Sequence, residues 1–159
     1  MSTLCIMKYL LLLLFFCGFS CKTQQNIEQN ANKPYDDDFV LLQKSGCFGT
    51  CPIYEITLYA NGKINYKGKA YTDYIGFYAG QIDPQTAYNF FDKIKTYKWS
   101  AYPEKYPIDN VDFPQFQLVY NTKKIQKTIK GNSKADTELI ELTIELDGFV
   151  KQAELKLIE

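Results

Sequence analysis

Ile53-Tyr54-Glu55-Ile56-Thr57-Leu58-Tyr59-Ala60-Asn61-Gly62-Lys63-Ile64-Asn65-Tyr66-Lys67-Gly68 is the stretch that decides the fold. Residues 53–60 alternate with period two: Tyr54, Ile56 and Leu58 share one face, Glu55, Thr57 and Tyr59 the other. Such a segment is a half-buried strand. Asn61-Gly62 then marks a hairpin. A two-residue loop would pair Leu58 with Asn65 and Ile56 with Lys67, mixing core with solvent across the ladder. A three-residue loop, 60–62, sets Leu58 against Ile64, Ile56 against Tyr66 and Glu55 against Lys67. One face becomes apolar and the other gains an opposite-charge pair. The longer loop is therefore expected, with Gly62 left-handed in a bulge.

Outward from this hairpin, 39–42 (Phe-Val-Leu-Leu) reads as a preceding strand and 74–82 as a following one, weakened by Gly76 and Gly80. Asp83-Pro84 opens a helix as N-cap and first residue. Ala87, Phe90, Phe91, Ile94 and Tyr97 form its buried stripe. An aromatic connection follows over 99–113, then a second hairpin from 114–121 and 124–130. Phe116, Leu118 and Tyr120 point one way on it, and Ile125 and Ile129 share a face. Ser133 is the expected cap of the last helix, with Asp136 as its acidic partner. Its stripe is Ala135, Leu139, Leu142, Leu146, Phe149, Val150 and Ala153, with Ile140 and Ile144 roughly opposite. The expected fold is α+β: a mainly antiparallel sheet of five to six strands with two helices on one face, in the order β-β-β-β-α-β-β-α.

Before this domain, expected at 39–159, lie two segments of different character. Residues 9–19 are an apolar run after Lys8. Eleven residues span about 16 Å as a helix, too short for a hydrocarbon core of about 30 Å, and match the apolar region of a signal peptide over 1–20. Gly18-Phe19-Ser20-Cys21 resembles the lipobox of bacterial lipoproteins, which implies lipidation of Cys21 and a membrane anchor. Lys22 does not resemble the Asp signal that retains some lipoproteins in the inner membrane, so the outer membrane is preferred. Residues 21–38 are polar, ending in Asp36-Asp37-Asp38, and read as a disordered tether.

The chain of 159 residues holds 18 basic and 18 acidic groups, and every basic one is lysine. Net neutrality gives no reason to expect nucleic acid. With no histidine or arginine, the Ser-His-Asp, Cys-His, His-metal and arginine-finger chemistries are excluded. There are five cysteines. Cys5 and Cys17 fall in the signal peptide and Cys21 carries lipid, which leaves Cys47 and Cys51 as one disulfide in an oxidising compartment. An extended chain would hold their α-carbons about 13 Å apart, whereas a disulfide requires less than about 7 Å. The segment must therefore fold back, aided by Gly46 and Gly49. A redox dithiol is the sharper alternative, though the spacing is one residue longer than Cys-x-x-Cys. Copper binding is another, since Cys-x-x-x-Cys-Pro looks like the motif of copper-delivering thioredoxin-like proteins; their histidine ligand has no counterpart here.

Gly46-Cys47-Phe48-Gly49-Thr50-Cys51-Pro52-Ile53-Tyr54, followed by an apolar strand, Asn61-Gly62 and a second strand ending near Gly68, resembles the signature of a bacterial, often lipid-anchored family, domain of unknown function 6438. Asp112-Phe113-Pro114 is similar to a further family feature. The resemblance covers about residues 40–150. It implies the fold and the envelope address, and no activity or cofactor.

Tyrosines are abundant and suit wet interfaces. Tyr59 on the outer sheet face, Tyr71 beside it, and Tyr102 and Tyr106 in the long connection form the candidate binding surface. Asp109, Asp112 and Glu104 are the candidate carboxylates of a hydrolase, with nothing in the pattern to converge them. The expectation is a lipid-anchored cell-envelope protein, a non-catalytic binding or structural module contacting an envelope protein or glycan. The alternative is a thiol-disulfide redox protein using Cys47 and Cys51.

Overall fold

A computed structural model describes residues 37–108 and 112–158. The expected signal peptide, Cys21, all of the tether but its last two residues, and Asp109 lie outside the described residues. The elements are β1 (Phe39–Lys44), β2 (Ile53–Tyr59), β3 (Lys63–Ala70), β4 (Gly76–Gln81), α1 (Pro84–Lys95), β5 (Phe116–Asn121), β6 (Gln126–Gly131), α2 (Thr137–Gln152) and β7 (Lys156–Leu157). They build one antiparallel sheet in the order β6-β5-β1-β2-β3-β4-β7.

The β2–β3 register is the one the alternation demands: Leu58 opposite Ile64, Ile56 opposite Tyr66, Glu55 opposite Lys67. Gly62 takes φ 87° and its N–H donates to the Tyr59 carbonyl at 2.9 Å. A Cβ there would lie 2.8 Å from the Ile82 carbonyl oxygen, so close approach and positive φ both require glycine. The same inward parity runs across the sheet through Val40, Leu42, Tyr54, Ile56, Leu58, Ile64, Tyr66, Phe116, Leu118, Tyr120 and Ile129, all buried.

Both helices cover this face and share its core. Asp83 caps α1, its carboxylate accepting the Thr86 N–H at 2.7 Å, and Ala87, Phe90, Phe91 and Ile94 are buried as expected. Phe90 meets Phe149 of α2 edge to face at 5.2 Å. Leu139, Leu142, Leu146, Phe149 and Val150 line the buried side of α2. Thr143 joins them by donating its hydroxyl to the Ile140 carbonyl at 2.9 Å. Ile140 is half-buried and Ile144 is exposed.

Two expectations are corrected. The sheet has seven strands, and a strand follows the last helix. At two residues β7 is too short to carry a periodic signal; pairing with Tyr78 and Ala79 creates it. The cap of α2 is Asp136 rather than Ser133. Asn132 intervenes: its Oδ1 accepts the Lys134 N–H at 2.8 Å and turns the chain one step before the helix. Residues 99–108 of the long connection lie against the core. Trp99 is buried, donates its indole N–H to the Ile94 carbonyl at 2.8 Å and stacks on Tyr120 with ring centroids 4.4 Å apart.

Candidate functional site

The registers place the turns that flank the strands at one end of the sheet or the other. Lys44 lies opposite both Tyr54 and Phe116, and Gly68 opposite Gly76. Segments 45–52, 71–75 and 112–115 therefore emerge side by side at one end. The chain enters at Phe39, opposite Tyr59 and Asn121, at the other end.

At the first end Cys47 and Cys51 are joined by a disulfide, α-carbons 5.6 Å apart. The required fold-back is present: the Gly49 N–H donates to the Cys47 carbonyl at 2.9 Å. Ser45 fastens the loop's start to the approach to β5 through its N–H and its hydroxyl, both donating to the Gln115 carbonyl, at 2.9 and 3.2 Å. The two cysteines are half-buried, whereas Phe48 between them is 90% exposed. Closing the ring in this way ejects the one large apolar side chain it contains. Beside it, Phe113 is 56% exposed, Tyr71 59% and Ile75 55%. Tyr71 has φ 53°, an uncommon left-handed conformation for an aromatic residue. The 71–75 turn folds tightly over β3, so a Cβ on Gly68 would lie 1.7 Å from the Tyr74 carbonyl oxygen.

Tyr54, Tyr66 and Tyr78 on the core face, joined by Tyr74 from the 71–75 turn, make a run of ring contacts with centroids 5.3–6.4 Å apart. Tyr54 donates its hydroxyl to Asp147 of α2 at 2.5 Å, and the Lys44 ammonium reaches the same carboxylate at 2.5 Å. Burial, followed by the bond to Asp147 and its charge, pushes the Tyr54 phenol well up. The Tyr66 and Thr72 hydroxyls share a hydrogen bond. These groups bind the helix and the turn to the sheet.

A second feature is an open cleft of about 560 Å3 where the end of α1 meets the start of α2, lined by Thr96, Tyr97, Lys98, Tyr102, Asp136 and Glu138 among others. Tyr102 donates to the Glu138 carboxylate and Tyr106 to the Asp136 carboxylate. Desolvation, then these acceptors, raises both phenols, that of Tyr106 to about 12. Both hydroxyl protons are already committed to α2, so Tyr102 at the cleft wall and the buried Tyr106 are both occupied in holding a helix.

The tyrosines expected to form one surface are thus distributed. Tyr59 is half-buried on the outer sheet face, with Phe39 at 6.0 Å and the Lys63 ammonium 5.9 Å from its ring centroid. Tyr71 stands at the disulfide end, Tyr102 borders the cleft, and Tyr106 is buried. The candidate carboxylates are likewise spread: Glu104 offers its backbone carbonyl to Lys130 of β6, and Asp112 is exposed in the approach to β5. Among the described residues no group of three or more His, Cys, Asp or Glu side chains is placed to hold a metal ion. What the sequence reading missed is Phe48. Its signal was available: a phenylalanine in a ring closed by two cysteines, next to a glycine, in a seven-residue stretch without charge, 46–52.

A family model described as "Domain of unknown function (DUF6438)" matches residues 38–150. Comparison with curated proteins and with solved structures finds no match.

Proposed function

We propose, from the premise that the chain belongs to the domain-of-unknown-function family DUF6438, that it is a lipid-anchored cell-envelope protein whose folded domain works as a non-catalytic binding module. The anchor is Cys21, behind a signal peptide of residues 1–20, with the outer membrane as its address. The observation that carries the binding role is the concentration of exposed apolar side chains (Phe48, Tyr71, Ile75 and Phe113) on three adjacent loops at one sheet end. Large exposed apolar groups gathered in one place mark contact sites. The titratable groups in the cleft and under the loops favour the same reading, since Tyr54, Tyr102, Tyr106, Asp136, Glu138 and Asp147 are engaged with one another in joining elements. Two measurements test it. Intact mass of the exported protein, before and after reduction and alkylation, is expected to show acyl chains on Cys21 and a single disulfide; an unmodified Cys21 removes the anchor. Photo-crosslinking from position 48 in whole envelopes is expected to capture a contact, whereas position 125, at the other sheet end, is not.

A thiol-disulfide function is the second reading. It is favoured by the half-exposed state of both cysteines in a short ring, open to an incoming thiol. Rapid exchange with glutathione and a low-pKa sulfur on the reduced protein would support it. A pair that resists mild reductant, with the Cys47→Ser variant changed only in melting temperature, leaves the bond structural.

A further inference from the structure

We infer that the sheet end carrying Phe48 is a bilayer-contact surface, in which the disulfide-closed loop inserts Phe48 among the acyl chains while Tyr71 and Tyr74 lie at headgroup level. This deepens the binding-module reading and rests on it.

Shape and charge both point to lipid. The exposed apolar groups sit on three separate turns at one sheet end, so that they can meet a soft layer together. Segment 46–52 holds no charged residue, and its most prominent side chain is a phenylalanine exposed over 90% of its surface. Only a side chain needs to pass the headgroups. The loop backbone stays at hydrated depth, so no unsatisfied peptide group enters hydrocarbon. Tyr71 and Tyr74, 59% and 39% exposed, are amphipathic rings of the kind that settle at the membrane–water boundary. The ring and the Ser45–Gln115 bonds hold Phe48 out in advance, so insertion orders little that is not already ordered. The flanking turns carry Asp73 and Asp112, with Lys69 two residues before Tyr71. This mixture gives no net attraction to anionic lipid and suits zwitterionic headgroups.

The reach is sufficient. The chain enters the domain at Phe39, at the end opposite Phe48. An eight-residue strand such as β3 spans about 26 Å. Residues 22–38 extend to about 56–61 Å at full stretch. An anchor at Cys21 thus permits the far end of the domain to touch the same bilayer.

The test places a tryptophan at either end of the sheet: Phe48→Trp in one protein, Ile125→Trp in another. The mature lipid-bearing protein is bound to phosphatidylethanolamine–phosphatidylcholine vesicles with brominated acyl chains. Trp99 is buried and supplies a constant background. The expected result is a blue shift and quenching several-fold stronger for F48W than for I125W, unaltered by added phosphatidylglycerol and reduced when Cys47 and Cys51 are both changed to serine. Both tryptophan sites are exposed or half-exposed, and unchanged melting temperatures verify the fold. Equal quenching at the two positions, stronger quenching for I125W, or none at position 48 overturns the inference. If position 48 is unquenched yet crosslinks to an envelope protein, the binding module stands and the bilayer does not. If the protein fails to float with vesicles, the lipid anchor fails. Quenching is then read on protein added at saturating lipid, so the two outcomes remain separate.

Discussion

Gly131 shows how much of this fold is set by a missing atom. It lies opposite Phe116 at the β5–β6 pairing, and a Cβ there would come within 2.4 Å of the Phe116 ring. Gly131→Ala is expected to cost about 1–3 kcal/mol by overpacking. Chemical denaturation should show a lower midpoint with unchanged slope. Phe116→Leu in the same protein should recover part of the loss, a coupling that a double-mutant cycle measures directly. The disulfide gives a second prediction at this scale. A ring of this size restricts the unfolded chain by roughly 2 kcal/mol in the entropy model. Cys47→Ser with Cys51→Ser should lower stability by about that amount while circular dichroism of the sheet is retained, because the ring lies outside every strand.

Among the elements, the two helices start differently and should respond differently. Asp83 accepts the Thr86 N–H with its side chain, so Asp83→Ala should cost about 1 kcal/mol as a lost cap. Asp136 has no side-chain bond to the start of α2 and holds the Tyr106 hydroxyl instead. Asp136→Ala should therefore be coupled in a double-mutant cycle to Tyr106→Phe, and Asp83→Ala should not. The contrast also marks what was legible. Asp83-Pro84 is a local signal and placed α1 correctly, and the parity of 53–60 placed the first hairpin to the residue. At α2, Asn132, Ser133 and Asp136 all compete to start the helix, and the outcome depends on Tyr106 arriving from 26 residues or more upstream in sequence, which no local pattern encodes. β7 was illegible for the same reason, as its two residues become a strand only by meeting β4. Whether Tyr71, Tyr102 and Tyr106 face water depends on the path of the 99–108 connection over the core and of the turn after β3, whereas Phe48 is held out by a ring closed within five residues and by the Ser45–Gln115 bonds beside it.

For the whole molecule, the buried phenols set an alkaline limit. Tyr120 is driven up to about 12 by burial first and the charge of Asp38 second, and Tyr106 to about 12 by burial and its bond to Asp136. A raised folded-state value means that the neutral phenol is the form the fold retains. Unfolded tyrosines ionise near 10. The contribution is complete below about pH 10 and disappears as pH climbs from there through about 12. Urea midpoints should be level between pH 7 and about 9 and fall steeply above 10. Tyr120→Phe should flatten that fall.

Both margins of the sheet are partly covered by the chain itself. At one side β7 pairs with β4 and the Ile158 N–H donates to the Phe77 carbonyl. At the other, Lys130 exchanges backbone bonds with Glu104 and Tyr106, so an irregular segment occupies that end of β6. Molecules confined to a surface collide edge-on far more often than in dilute solution, and an open strand would template fibre growth from neighbour to neighbour. Here each border is partly occupied by the protein's own backbone, which leaves less of either edge strand open to such pairing.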